Sequence, residues 1–267
     1  MVDRSSGPVL PFGQTATSET ELVQYIDYES ACKLLAENGV QDPEQRISKF
    51  VEHLPALLAW LERNGRRFPW RATTAPWQVY LSEILLQRTR ARAVDTIYDQ
   101  FFKSFPDPAT LRAATDEEIT AQIESLGFGN QRTRTLNEVA ELLVTEHEGE
   151  VPRSLDELQR PWRVGPYSAR ATMLFAFHEP LALVDTNFAR VFGRLFGYEM
   201  PDQPHKSETV YQLLDALVPE TAGLCRAFNL AILDLADAIC TPAEPACNRC
   251  PLADRCAYAS EQNTQRS

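Results

Sequence analysis

Apolar residues in this chain recur every three to four positions and almost never alternate. From Glu19 to Asn38, Leu22, Tyr25, Ile26, Cys32, Leu34 and Leu35 fall at helical spacing, and Gly39 ends the run. After Asp42-Pro43, one face of a second helix carries Ile47, Phe50, Val51, Leu54, Leu57, Leu58 and Leu61, and Gly65 stops it. A Trp-rich loop follows, from Phe68-Pro69-Trp70-Arg71 to Pro76-Trp77. The same periodicity predicts further helices at about 77–88, 91–104, 108–114, 116–125, 131–147, 154–159, 167–177, 185–197, 206–218 and 223–238. Leu181–Val184 is the only short extended candidate, and no internal repeat is visible. The pattern predicts an all-α protein.

Two turns between these helices stand out. One is Leu126-Gly127-Phe128-Gly129-Asn130. The other is Val164-Gly165-Pro166-Tyr167-Ser168-Ala169, where a helix is predicted to begin at the glycine. A glycine-opened helix start exposes free backbone N–H groups that hold a phosphate, although most such starts bind nothing. Residues 1–18, rich in Ser, Thr, Gly and Pro, read as a disordered tail.

Composition narrows the picture modestly. With 267 residues, 44% hydrophobic and 24% charged, the chain has room for one large or two modest cores. It has no 18-residue apolar run, and its first residues lack the basic and apolar regions of a secretory signal. The expectation is a cytoplasmic, nucleoid-associated protein with no membrane partner. A net charge of −11 argues against a generic nucleic-acid binder, but binding depends on local charge. Arginines cluster at Arg88/Arg90/Arg92, Arg132/Arg134, Arg160/Arg163/Arg170 and Arg190/Arg194, while acids crowd at Asp116-Glu117-Glu118 and Glu146-x-Glu148-x-Glu150. Arginine patches beside Gly-containing turns point to a phosphate-binding face; the plainer reading is a solvated surface.

Four cysteines near the end stand as Cys240-x6-Cys247-x2-Cys250-x5-Cys256. Thiolates gathered this closely are metal ligands before anything else. Zinc layouts usually pair two C-x2-C units, or one with histidines, whereas here single cysteines flank one such unit. Four unevenly spaced thiolates suit a cubane iron–sulfur cluster, whose irons take all-sulfur ligation. A zinc knuckle and a disulfide pair are the other readings. Cys32 and Cys225 read as structural thiols.

Three segments together resemble the helix-hairpin-helix DNA glycosylases, the superfamily of endonuclease III and MutY. The first is Trp77-x3-Leu81-Ser82-Glu83-Ile84-Leu85-Leu86-Gln87-Arg88-Thr89. The second is the hairpin before Tyr167 together with Leu183-Val184-Asp185-Thr186-Asn187-Phe188-Ala189-Arg190-Val191. The third is the cysteine array, which has the spacing of the family's [4Fe–4S] loop. The resemblance runs from about Phe50 to Tyr258. Ser82-Glu83-Ile84-Leu85-Leu86-x-Arg88-Thr89, Gly129-Asn130-Gln131-Arg132, Gly165-x-Tyr167 and Cys225-Arg226-x-Phe228-Asn229-Leu230 look most like the thymine–guanine mismatch glycosylase (MIG) branch.

The resemblance implies two helical domains flanking a DNA cleft. Residues 75–184 would form a six-helix domain with the hairpin, and 46–74 with 185–260 an iron–sulfur domain. Residues 19–45 would be an N-terminal helical extension. It implies a catalytic carboxylate at Asp185, stabilising an oxocarbenium-like sugar and orienting water; the same aspartate also reads as a helix N-cap. Glu83 would face the extruded base, or else point to solvent. Bifunctional members carry lysine where Tyr167 stands, and a phenol cannot form a Schiff base, so base excision without lyase activity is expected. Arg88 resembles the residue that enters the duplex and Phe128 the wedge beside the partner strand. Gly127, Gly129, Asn130, Arg163, Val164 and Gly165 would contact DNA. The cysteine loop, with Arg249 and Arg255 between its thiolates, would order a basic segment against phosphates.

One departure concerns the hairpin, which reads Pro161-Trp162-Arg163-Val164-Gly165 where the family has Leu-Pro-Gly-Val-Gly. Arg163 there either strains the turn or binds phosphate by its side chain. A second is the short segment after the cysteines, which supplies no 8-oxoguanine-sensing domain. The expected function is thus a monomeric, monofunctional DNA glycosylase removing thymine or uracil opposite guanine from double-stranded DNA. The alternatives are an adenine glycosylase (adenine opposite guanine or 8-oxoguanine), a modified-base glycosylase, and a non-catalytic iron–sulfur DNA-binding protein.

Overall fold

The computed structural model describes residues 26–266; the expected tail at 1–18 and the start of the run from Glu19 lie outside them. Among the described residues every regular element is helical and no strand forms. The chain divides into two compact units, one spanning Arg67–Glu179 and the other built from the residues up to Arg66 and from Pro180 onward. No single helix among the described residues is long and apolar enough to cross a membrane.

In the unit from Arg67 to Glu179, α4 (Pro76–Leu86) is the central rod. Trp77, Val79, Tyr80, Leu81, Ile84 and Leu85 are buried, and so are Ser82 and Glu83, so the helix is enclosed around most of its circumference. Helix α10 (Pro166–Phe177), itself almost wholly buried, packs along it. The polar handles of the buried aromatics find backbone acceptors: Trp77 Nε1 donates to the Phe105 carbonyl at 3.0 Å and the Tyr80 hydroxyl to that of Leu158 at 2.7 Å. Burial pushes the Tyr80 phenol well above its usual value. Between α4 and α10 run α5 (Ala91–Ser104), α6 (Pro108–Ala113), α7 (Asp116–Ile123), α8 (Gly129–Glu146) and α9 (Leu155–Leu158).

The other unit opens with α1 (Tyr28–Glu37), whose N-terminus Asp27 caps by accepting from the Ser30 N–H at 3.1 Å. Ile26 and Asp27 are not helical, so the single helix expected from Glu19 to Asn38 does not exist in that form: a capping aspartate starts a helix rather than continuing one. The second expected helix is two, α2 (Pro43–Glu52) and α3 (Leu54–Asn64), broken at His53. Pro55 is the cause. It has no N–H to donate, and its ring collides with the carbonyl four residues back, which favours the second position of a new helix over the middle of an old one.

Helices α11 (Thr186–Phe196) and α3 pack on α13 (Ala222–Ala238), and α1 packs on α12 (Glu208–Leu217). At the centre, the Phe50 ring meets Phe192, Phe196 and Phe228 edge-on, with centroids 5.9, 5.6 and 6.0 Å apart. Such pairs contribute about 0.5–1.5 kcal/mol each beyond their buried area. The extended candidate 181–184 pairs with no strand. Its backbone is held instead by side chains: Ala182 N–H donates to Asp215 Oδ1 at 2.8 Å and Leu183 N–H to Asn229 Oδ1 at 2.9 Å, while Asn229 Nδ2 donates back to the Leu181 carbonyl at 3.1 Å. The loop after α13 carries two short 3-10 turns, Cys247–Arg249 and Ala253–Arg255, before α14 (Ala257–Arg266).

Candidate functional site

Within the unit from Arg67 to Glu179, the predicted DNA-contacting residues gather around one pocket of about 330 Å³, lined by Ile84, Gln87, Arg88, Phe128, Gln131, Arg132, Thr135 and Arg163. Three chain breaks build it. Helix α4 ends at Leu86, two residues earlier than expected, and Arg88 turns into the left-handed region at φ 53°. Phe128 does the same at φ 55° ahead of α8, which begins at Gly129 and not at Gln131. Phe128 is the exposed large hydrophobic side chain among the described residues, with 54% of its surface open. Asn130 and Gly127 are exposed beside it.

The hairpin supplies the third break. Arg163 sits at φ 63°, the conformation for which the family uses glycine. The turn is therefore preserved at a backbone cost rather than rearranged. Its side chain lies against the Trp162 ring (5.2 Å to the centroid) and donates from Nη1 to Gln131 Oε1; its carbonyl accepts from Gln87 Nε2 at 3.2 Å. Val164 is buried and Gly165 is the N-cap of α10, as the glycine-opened start predicted. Tyr167, in the first turn of that helix, is half-buried. Glu83, 7% exposed on α4, does not point to solvent; it is buried with hydrogen-bonding or charge interactions of its own.

The arginine patches are mostly not a phosphate-binding face. Arg132, 5% exposed, donates to the carbonyls of Ile84 (2.7 Å), Leu85 (3.0 Å) and Gln87 (3.3 Å) and to Thr89 Oγ1 (2.8 Å). It caps the C-terminus of α4, whose last carbonyls have no helical partner. Burial, and next the charge of Arg163, lower its pKa from the ordinary arginine value. Arg134 pairs with Glu138 at 2.9 Å and stacks on Trp162, and Arg160 bridges Glu146 and Glu157, both at 2.7 Å. Arg170 is buried. Arg88, Arg90, Arg92 and Arg163 remain exposed, and no carboxylate pairs with them among the described residues.

In the other unit, Asp185 is the N-cap of α11. Its Oδ1 accepts from the N–H groups of Asn187 and Phe188, and its Oδ2 from Asn187 Nδ2, all at 2.8 Å. The network continues along the helix. Asn187 Oδ1 accepts from Arg190 Nη2 at 3.0 Å, and Arg190 donates to the carbonyls of Cys240 (2.7 Å) and Ala236 (3.1 Å). One turn on, Arg194 donates to Cys240 Sγ at 3.4 Å and to the carbonyls of Thr241 and Pro242 at 2.7 and 2.8 Å, while its own carbonyl accepts from Cys256 Sγ at 3.3 Å. The second arginine patch of α11 therefore binds the cysteine loop, a use its spacing did not reveal; the i, i+4 interval of Arg190 and Arg194 is the signal that was available.

Cys240, Cys247, Cys250 and Cys256 are partly buried and unbridged. Burial pushes the Cys250 thiol up to about 12, with the neighbouring Cys256, Cys240 and Cys247 adding to the effect. The four sulfurs thus share one electrostatic neighbourhood. Among the described residues, no three His, Cys, Asp or Glu side chains converge tightly enough to hold a single metal ion. Arg255 is not free for phosphate, lying 3.8 Å from Glu52, whereas Arg249 is exposed.

Known proteins share this arrangement. The chain is 35% identical to a thymine/uracil-DNA glycosylase of Methanothermobacter thermautotrophicus over 78% of its length and 93% of the relative's. It is 34% identical to an adenine DNA glycosylase of Mycobacterium tuberculosis over 76% of its length and 66% of the relative's. The solved structure of a thermostable thymine-DNA glycosylase superposes with a TM-score of 0.75 at 33% identity, covering 81% of this chain and 98% of that one. The model for the HhH-GPD superfamily of base excision DNA repair proteins matches residues 81–218, and the chain belongs to that family.

Proposed function

We propose that this chain is a monofunctional DNA glycosylase that hydrolyses the N-glycosidic bond of thymine or uracil opposite guanine. The observation that carries the reading is Asp185: a carboxylate held by three donors at 2.8 Å, the kind of oriented group that glycosidic bond breaking uses. Cleavage builds positive charge on the sugar, and a preoriented carboxylate stabilises that charge without reorganising. Glu83, buried on α4, is the group that meets the extruded base. Tyr167 offers no amine, so the sugar is released by water and the strand stays intact. The likeness to thymine/uracil-DNA glycosylases, 35% identity over 78% of this chain, supports the pyrimidine target.

The four cysteines fit an iron–sulfur cluster. Their donor set is all thiol, and the four lie in one loop that Arg190 and Arg194 hold against α11. A zinc site needs its sulfurs within about 2.3 Å of a single metal. A cubane gives each thiolate its own iron and spreads them farther apart. The cluster would hold the loop to which Arg190 and Arg194 bind, and bond cleavage is assigned to none of it. Metal analysis of the purified chain is expected to give about four irons and four acid-labile sulfides; one zinc per chain would overturn the assignment.

The test of function is a duplex panel containing T:G, U:G, A:G, A:8-oxoguanine and methylated bases, read with and without alkali. Alkali-dependent cleavage of T:G and U:G is expected. Nicking without alkali would sink the monofunctional claim, and inertness on every duplex would sink the enzyme.

A further inference from the structure

The departure at the hairpin has a consequence beyond the turn itself. Arg163 is exposed, yet its side chain is held against the protein. It lies over Trp162, 5.2 Å from the ring centroid, and its guanidinium donates to Gln131 Oε1 on the wall of the 330 Å³ pocket. That bond settles which way the Gln131 amide faces: the oxygen is taken, so the NH2 is what the pocket receives. Gln87 is locked in the opposite sense. Its Nε2 donates to the Arg163 carbonyl and to Ser168 Oγ, both at 3.2 Å, which leaves Oε1 as its open group. Arg88 and the carbonyl-bound Arg132 add two more guanidinium groups to the wall, and no carboxylate lines the pocket.

The pocket therefore offers several donors, one fixed acceptor and an aromatic rim at Phe128. A base edge that suits it is rich in acceptors and carries a donor beside them. Guanine has O6 and N7 as acceptors and N1–H and N2–H2 as donors, and thymine and uracil present O2, N3–H and O4 in the same sense; adenine presents an amino group where guanine has O6 and meets the donors with a donor. We propose that Arg163 is a specificity-determining residue that, through Gln131, makes this pocket a reader of the guanine left unpaired opposite the excised base. This rests on the reading of the chain as a glycosylase acting opposite guanine, and it assigns that preference to a residue where the family has glycine.

The test uses binding, so that it does not depend on which base is excised. Duplexes carrying a tetrahydrofuran abasic analogue opposite G, A, C or T are titrated with the full chain, and the Kd ratio between A and G is measured. The wild type is expected to favour G by about tenfold, within the discrimination a good polar base contact gives. R163G restores the residue that the φ of 63° prefers, so its fold is not at risk. It is expected to bring the ratio close to one, and Q131A likewise, with no further loss in the double variant. A wild type without preference for G, an R163G ratio equal to the wild type, or R163G weakening all four duplexes equally would each overturn the proposal. The last outcome would make Arg163 a phosphate contact. Failure of the glycosylase reading shows separately, as absence of excision on T:G and U:G.

Discussion

Asp185 caps α11, and a single substitution separates that role from the chemistry proposed for it. Asparagine caps helices as well as aspartate does, so Asp185→Asn keeps acceptors for the Asn187 and Phe188 N–H groups. It removes the negative charge that the sugar cation needs. Single-turnover excision is expected to fall by about 10²–10³-fold, the scale for losing one oriented electrostatic group, with the melting temperature almost unchanged. Full activity in that variant would remove Asp185 from the chemistry. The residue itself was legible from sequence because its motif is local: Asp185, Asn187 and Arg190 lie within two helical turns. Arg132 was not. Its neighbours Leu126 to Asn137 carry no acid, which reads as an open basic patch, but its partners are carbonyls 45 to 48 residues away and the Thr89 hydroxyl, and composition holds no trace of a carbonyl that lacks a donor.

Among the elements, α4 explains why a buried arginine is tolerated. The helix is apolar on nearly every face, and it ends inside the unit with Ile84, Leu85 and Gln87 carbonyls that water does not reach. One guanidinium from α8 satisfies all three and also donates to Thr89 Oγ1, while its Nε stays buried without a hydrogen-bond partner. Arg132→Met keeps most of the volume and deletes every one of these bonds. Leaving several buried acceptors unpaired is expected to cost about 3 kcal/mol, read as an earlier urea or thermal transition; a loss under about 1 kcal/mol would show that the end of α4 is held by something else. The same scale shows where periodicity succeeded and where it failed. Apolar spacing located the helices because each buries one face against a neighbour. It ran α2 and α3 together because Phe50 to Leu61 keep one stripe across Pro55, and a stripe records what is buried and not whether the backbone is continuous. It suggested an extended stretch at 181–184 from its apolar run, although the hydrogen bonds of that stretch go to the Asp215 and Asn229 side chains.

For the whole molecule, the net charge of −11 opposes approach to a polyanion, and ion pairs or carbonyl contacts already engage several of the arginines. What is left in the unit carrying the pocket is Arg88, Arg90, Arg92 and Arg163, all exposed and without a carboxylate partner among the described residues. Binding must then draw on few phosphate contacts and on contacts that carry no charge, such as the open ring of Phe128. Each neutralised phosphate contributes a slope of about −0.9 to the logarithmic dependence of affinity on salt. Arg90 and Arg92 flank the start of α5 and line no part of the pocket, which makes them phosphate contacts and not base readers. The double variant R90A/R92A is expected to flatten the slope by about 2 while leaving the ratio between matched and mismatched duplexes where it was. Phe128→Ala should do the reverse, weakening the complex at every salt concentration with the slope intact. Equal slopes for wild type and R90A/R92A would mean that the exposed arginines of this acidic chain do not carry its hold on DNA.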